Sequence, residues 1–146
     1  MRAQSLYGSE PQRLHLLVSH EYVHQAVSEI SFGNCPRWLE EGLALSFSQE
    51  LPESYTESLA TAVQEARTFP LEALGGDELF DIAPETTCLV YSQSHSLVDY
   101  LVQKIGWEGM AHLVRLCRNN ETDRALQEFS LNCYLLEREW LRWLHN

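Results

Sequence analysis

The sequence predicts a mainly α-helical domain, and three observations carry that expectation. Apolar residues recur at three- and four-residue spacing through most of the chain. No alternating strand pattern stands out, and the breaks between periodic segments fall at prolines and glycines. The length, 146 residues, suits one domain with a modest core, and 45% hydrophobic with 21% charged residues reads as globular rather than disordered.

Ser9-x-x-Gln12 has the form of a capping box with Pro11 in its first turn, which predicts a helix over 11–30. Ser31 to Cys35 reads as a turn, and Pro36 suits the first turn of a second helix running to Ser48. Pro52 breaks the chain. Ser54-x-x-Glu57 is a second capping box, opening a helix to Thr68 with Leu59, Ala62, Val63 and Ala66 as its apolar stripe. Residues 69–86 hold Pro70, Gly75, Gly76 and Pro84 and read as irregular, with a short helix over Leu71–Leu74. The spacing of Val90, Ser94, Leu97, Val98, Leu101, Val102 and Ile105 predicts a helix over 87–105, ended by Gly106 as a C′ glycine. Three shorter helices follow over 107–118, 121–129 and 135–145. The last places Leu136, Trp140, Trp143 and Leu144 on one face.

Twenty-one acidic residues oppose ten basic ones, a net charge of −11. So few cations disfavour a nucleic-acid partner and leave a divalent cation compatible. No apolar run reaches the roughly 18 residues of a membrane span, and the first residues lack the apolar core of a signal peptide. Cys35, Cys88, Cys117 and Cys133 form no C-x-x-C pair, which argues against a zinc finger and a disulfide-dense miniprotein. Neither the redox compartment nor the location follows from these features.

The chemistry-bearing motif is His20-Glu21-Tyr22-Val23-His24, an H-E-x-x-H in the middle of the first predicted helix. Four residues advance an α-helix by about 6 Å and about 400°, so the two imidazoles sit one turn apart on nearly one bearing. Both can reach one Zn²⁺. Glu21 lies about 60° from His24 around the helix and can flank the metal without ligating it. Leu16, Leu17 and Val27 share the histidines' side of the helix, which predicts that the pair faces inward.

A catalytic zinc takes three protein ligands and keeps one position open. The next helix, Pro36-Arg-Trp-Leu-Glu40-Glu41-Gly42-Leu-Ala44, folds back across a tight turn and offers two carboxylates. Periodicity does not choose between Glu40 and Glu41, and Cys35 in the turn is a further candidate ligand. No acceptor orienting either histidine through its second ring nitrogen is identifiable from the sequence.

HEYVH followed by PRWLEEGLA resembles the gluzincin zinc metallopeptidases, in particular the peptidase-MA-like domains, and is distantly similar to the thermolysin and aminopeptidase N catalytic domains. Phe69–Leu74, Tyr91–Leu101, Gly106–Met110 and Glu139–Leu144 continue the likeness over nearly the whole chain. The resemblance implies Zn²⁺ as cofactor, Glu41 as third ligand, Glu21 as general base, Tyr91 as stabiliser of the oxyanion, and a peptide or protein substrate. His95, one turn beyond Tyr91, is a neighbour that can approach the same site. The fold implied is the helical half of a zincin-like domain over 1–146. Only 19 residues precede His20, so the upstream β-sheet of such domains is expected to be short or absent, in a truncated or reduced version of the fold. The same ligand set would serve a hydrolase of a non-peptide amide or ester. The alternative outside catalysis is a zinc-binding helical scaffold or partner-binding module.

Overall fold

Helices make up most of the computed structural model of the protein, which describes residues 10–48 and 51–146, apart from the side chains of Arg13 and Leu16. In chain order they are α1 (Glu10–Ser31), α2 (Arg37–Ser48), α3 (Glu53–Gln64), a 3₁₀ turn (Leu71–Leu74), α4 (Pro84–Leu116), α5 (Thr122–Gln127) and α6 (Cys133–His145). Among the described residues there is no strand, and no helix is long and apolar enough to cross a membrane. The mainly helical expectation holds, and the cap expected at Ser9 lies outside the described residues.

Three helices end by one device. Phe32, Ala66 and Ser130 are non-glycine residues with φ of 55°, 53° and 60°. Each is followed by an amide that reaches back five residues: Gly33 N to Ser28 O, Arg67 N to Ala62 O, and Leu131 N to Leu126 O, at 2.8, 2.8 and 3.1 Å. This left-handed closure satisfies carbonyls that a helix end would leave bare. It stops α3 at Gln64 rather than at Thr68, and Ala66, expected on the apolar stripe, is exposed. The start of α3 also differs. Pro52, extended at φ −62° and ψ 150°, is the N-cap, so Ser54 lies inside the helix and caps nothing. Proline already holds the φ that the boundary needs.

α4 is the spine on which α2 and α3 pack. It begins three residues earlier than expected, at Pro84, where the absent N–H has no helical partner to lose. Gly106, at φ 72° and ψ 173°, breaks it where a helix end was expected, and the chain resumes as helix at once. α6 starts at Cys133, with the Asn132 side chain accepting from Leu135 N at 2.8 Å.

The core lies between these elements. Trp38, Leu39, Leu97, Leu101, Leu136 and Trp140 are each at most 1% exposed. The Trp140 indole donates to Ser96 Oγ at 2.9 Å inside it. Gln93 clamps Phe69, donating to its carbonyl at 2.7 Å and accepting its amide at 3.0 Å, while Glu137 accepts Leu71 N at 3.1 Å. These bonds fix the segment that leads into the 3₁₀ turn. Gly42 sets the approach of α2 to α4: a Cβ there would fall 2.4 Å from Ser94 O and from Val98 Cγ2. α2 thus lies closer to α4 than any side chain at that position would allow.

Candidate metal centre

α1 and α2 fold back on each other across the turn 32–36 and bring His20, His24 and Glu41 together. The two Nε2 atoms lie 3.0 Å apart, and Glu41 Oε2 lies 3.5 Å from His20 Nε2 and 3.3 Å from His24 Nε2. A tetrahedral zinc with ligands at about 2.0–2.1 Å needs donor atoms about 3.3–3.4 Å apart. The three separations fit that requirement. Glu41 Oε2 is buried, and its neighbours stand farther off than the roughly 2.7–2.9 Å of a charge-assisted hydrogen bond. Imidazole and carboxylate donors suit zinc.

The electrostatics point the same way. The bond to Glu40, with the nearby Glu41 carboxylate, outweighs burial and raises His24 to about 9. Burial alone would raise Glu41, but the His20 and His24 side chains, with the charges of His24 and Arg37, bring it down to about 2. The two shifts share one physical cause, imidazole and carboxylate held close together.

Three residues support the cluster. Glu40 accepts from His24 Nδ1 at 2.9 Å, which leaves Nε2 turned to the cluster. A metal-binding imidazole is held in this way, by a carboxylate on its second nitrogen. Arg37, one turn before Glu41 on α2, holds Glu41 Oε1 at 2.9 Å, reaches Asp77 at 3.5 Å, and lies 5.3 Å over the Phe80 ring. Phe80 in turn packs edge-on against Tyr91, with centroids 5.4 Å apart. Sequence reasoning missed Arg37 and Phe80. The i, i+4 spacing of Arg37 and Glu41 was a usable signal, whereas nothing local marks Phe80.

The other expected residues divide. Tyr91 comes to the site: burial and the charge of Glu41 raise its pKa, while the guanidinium of Arg37 opposes them. Glu21 is exposed on α1 beside His20. His95 pairs instead with Asp99 on its own helix, at 3.5 Å. Cys35 faces Cys117, whose side chain bonds to it and pushes its thiol up. It is no part of the donor cluster. The inward face expected around the histidines is only half there. Val27 is buried, but Leu17 is 52% exposed, because α2 has 12 residues against the 22 of α1 and leaves the first turns of α1 uncovered.

No curated protein and no solved structure matches the chain. The sequence model of the peptidase MA superfamily matches residues 11–146, and that superfamily is typically zinc-dependent. The match takes in α2 to α6 and all but the first residue of α1. The chain therefore belongs to the peptidase MA superfamily.

Proposed function

We propose that the protein is a zinc-dependent metallopeptidase, with His20, His24 and Glu41 as its metal ligands. The observation that carries this reading is the convergence of two imidazole nitrogens and one buried carboxylate oxygen at 3.0–3.5 Å. Membership of the peptidase MA superfamily supports peptide or protein as substrate.

Zinc bound there supplies a Lewis acid for the scissile carbonyl and a lowered pKa for water. Glu21, exposed and one residue after His20, takes the proton of the attacking water as general base and passes it to the leaving amine. Tyr91 donates to the oxyanion. Its raised pKa keeps the hydroxyl protonated, and a donor of this kind is worth roughly 3–4 kcal/mol in other enzymes. Arg37 holds Glu41 in place through Oε1, and Glu40 fixes the tautomer of His24.

The test is zinc content beside hydrolysis of a peptide panel by the wild type, Glu21→Gln and Glu41→Ala. The expected result is about one zinc per chain in the wild type and in Glu21→Gln, with zinc lost or strongly weakened in Glu41→Ala. Only the wild type should cleave. Full activity in Glu21→Gln would refute the assignment of the base. Zinc held without turnover of any peptide would favour the metal-binding scaffold.

A further inference from the structure

Two thiols meet where the turn between α1 and α2 rests on the end of α4. Cys35 lies in that turn, and Cys117 is the C-cap of α4. The contact is held from both sides. Asn34, the residue before Cys35, donates to the carbonyl of Arg118, the residue after Cys117, at 2.9 Å. The Arg118 side chain donates to the carbonyl of Ile30 in the last turn of α1, and its guanidinium lies 4.3 Å over the Phe32 ring. Between these bonds the Cys35 thiol donates to the Cys117 sulfur, so sulfur faces sulfur. Both cysteines are free. Neither belongs to the cluster of His20, His24 and Glu41.

Access to the two is unequal. Cys117 is 1% exposed, whereas Cys35 is half-buried. A reagent from solution therefore meets Cys35 first, with Cys117 behind it to complete the reaction. A disulfide needs its sulfurs about 2.05 Å apart and its Cβ atoms about 3.5–4.5 Å apart. That final approach is asked of a turn and a helix end, which adjust more readily than two packed helix interiors.

We propose that Cys35 and Cys117 form a reversible redox latch, oxidised by a low-molecular-weight disulfide to an intramolecular disulfide that ties the turn between the metal helices to the end of α4. The Cys35 thiolate attacks one sulfur of the reagent. A mixed disulfide forms at Cys35, and the first reagent thiolate leaves. The Cys117 thiolate then attacks the Cys35 sulfur, the protein disulfide forms, and the second reagent thiolate leaves. Two protein thiols are oxidised, one reagent disulfide is reduced to two thiols, and the protons of the protein thiols pass to the leaving thiolates. The bridge closes a loop of about 80 residues and so restricts the unfolded chain. It also fixes the hinge about which α1 and α2 part. The latch does not depend on the peptidase reading, and its test needs no substrate.

The full chain, metal-free and zinc-loaded, is equilibrated with oxidised glutathione. Remaining thiols are alkylated, and the peptides are mapped without reduction. One bridge should appear, between Cys35 and Cys117, with Cys88 and Cys133 alkylated, and dithiothreitol should reverse it. The Tm of the metal-free protein should rise by roughly 5–15 °C on oxidation. In the zinc-loaded protein, release of the metal to a chelator should slow several-fold. Cys35→Ser, at a half-buried position, should abolish both effects, and Cys88→Ser should keep them. Glutathione that remains on Cys35, a bridge to Cys88 or Cys133, or a Tm that falls on oxidation overturns the proposal. A bridge that forms and leaves zinc release unchanged overturns the hinge role and with it the latch.

Discussion

Gly42→Ala tests the idea that one close helix contact places the third metal ligand. The new Cβ would lie 2.4 Å from Ser94 O and Val98 Cγ2, about 1 Å short of ordinary contact. Val98 can turn its methyl aside, but the Ser94 carbonyl is backbone and cannot. α2 must therefore move off α4, or tilt, by about the same amount. Overpacking of this kind costs about 1–3 kcal/mol. Alanine returns up to about 1 kcal/mol through helix propensity. With a backbone atom as the obstacle the upper part of the range applies, and the net loss is about 1–2 kcal/mol. At about 2–4 °C per kcal/mol for a chain of this size, the Tm of the metal-free protein falls by about 2–8 °C. Glu41 is the preceding residue and moves with α2. Metal–ligand distances tolerate only about ±0.2 Å, so zinc affinity should fall together with Tm. Calorimetry on the metal-free protein and a competitive zinc titration measure the two effects. A rise in Tm would refute the close contact. A lower Tm with unchanged zinc affinity would refute the link from that contact to the site.

Glu40→Ala removes the acceptor on His24 Nδ1 and should weaken zinc about 10–100-fold at unchanged stoichiometry, whereas Glu41→Ala should lose the stoichiometry itself. A chelator competition in which the two variants exchange behaviour would make Glu40 the ligand. Ser96→Ala strands the buried Trp140 N–H and should destabilise the protein by about 1–3 kcal/mol, read from denaturant unfolding followed by tryptophan fluorescence. The Glu139 carboxyl is held below the ordinary carboxylate range by Lys104 and Tyr100, each 2.8 Å from it. A carboxyl lowered on folding stabilises the protein above its unfolded-state pKa and loses that contribution as pH falls through its folded-state value. Glu139→Gln should therefore lower Tm near neutral pH and converge with the wild type in acid. A difference that persisted at low pH would mean that the bonds act without the charge.

The parts of the fold legible in the sequence are those written in local chemistry. Periodicity marked the helices, and Gly106 marked the break in α4. H-E-x-x-H carried two donors because spacing on one helix is geometry that a sequence states outright. Periodicity could not choose between Glu40 and Glu41, since both lie on α2 and only its rotation against α1 separates them; the family resemblance alone pointed to Glu41. The structure gives Oε2 of Glu41 to the two Nε2 atoms and Oε1 of Glu40 to Nδ1 of His24. The end of α3 was misjudged because Ala66 takes the left-handed turn usually signalled by glycine. The expected burial of Leu17 failed for a different reason, since a stripe shows which side is apolar but not how far a partner helix extends along it.

The donors of the candidate metal centre all lie between residues 20 and 41, on two helices joined by a short turn. The bonds that fix the rest of the fold span far more chain: 44 residues from Ser96 to Trp140 and 66 from Leu71 to Glu137. Closing the shorter loop costs less chain entropy, so the hairpin of α1 and α2 can form while the C-terminal half is still unstructured. A metal captured at that stage binds a partly folded chain as well as the native one, which reduces the equilibrium stabilisation expected from its native-state affinity. Its larger effect would then be kinetic: by joining the two helices early, it would give α4 an assembled surface on which to condense, and zinc would register in the refolding rate before it registered in the melting temperature.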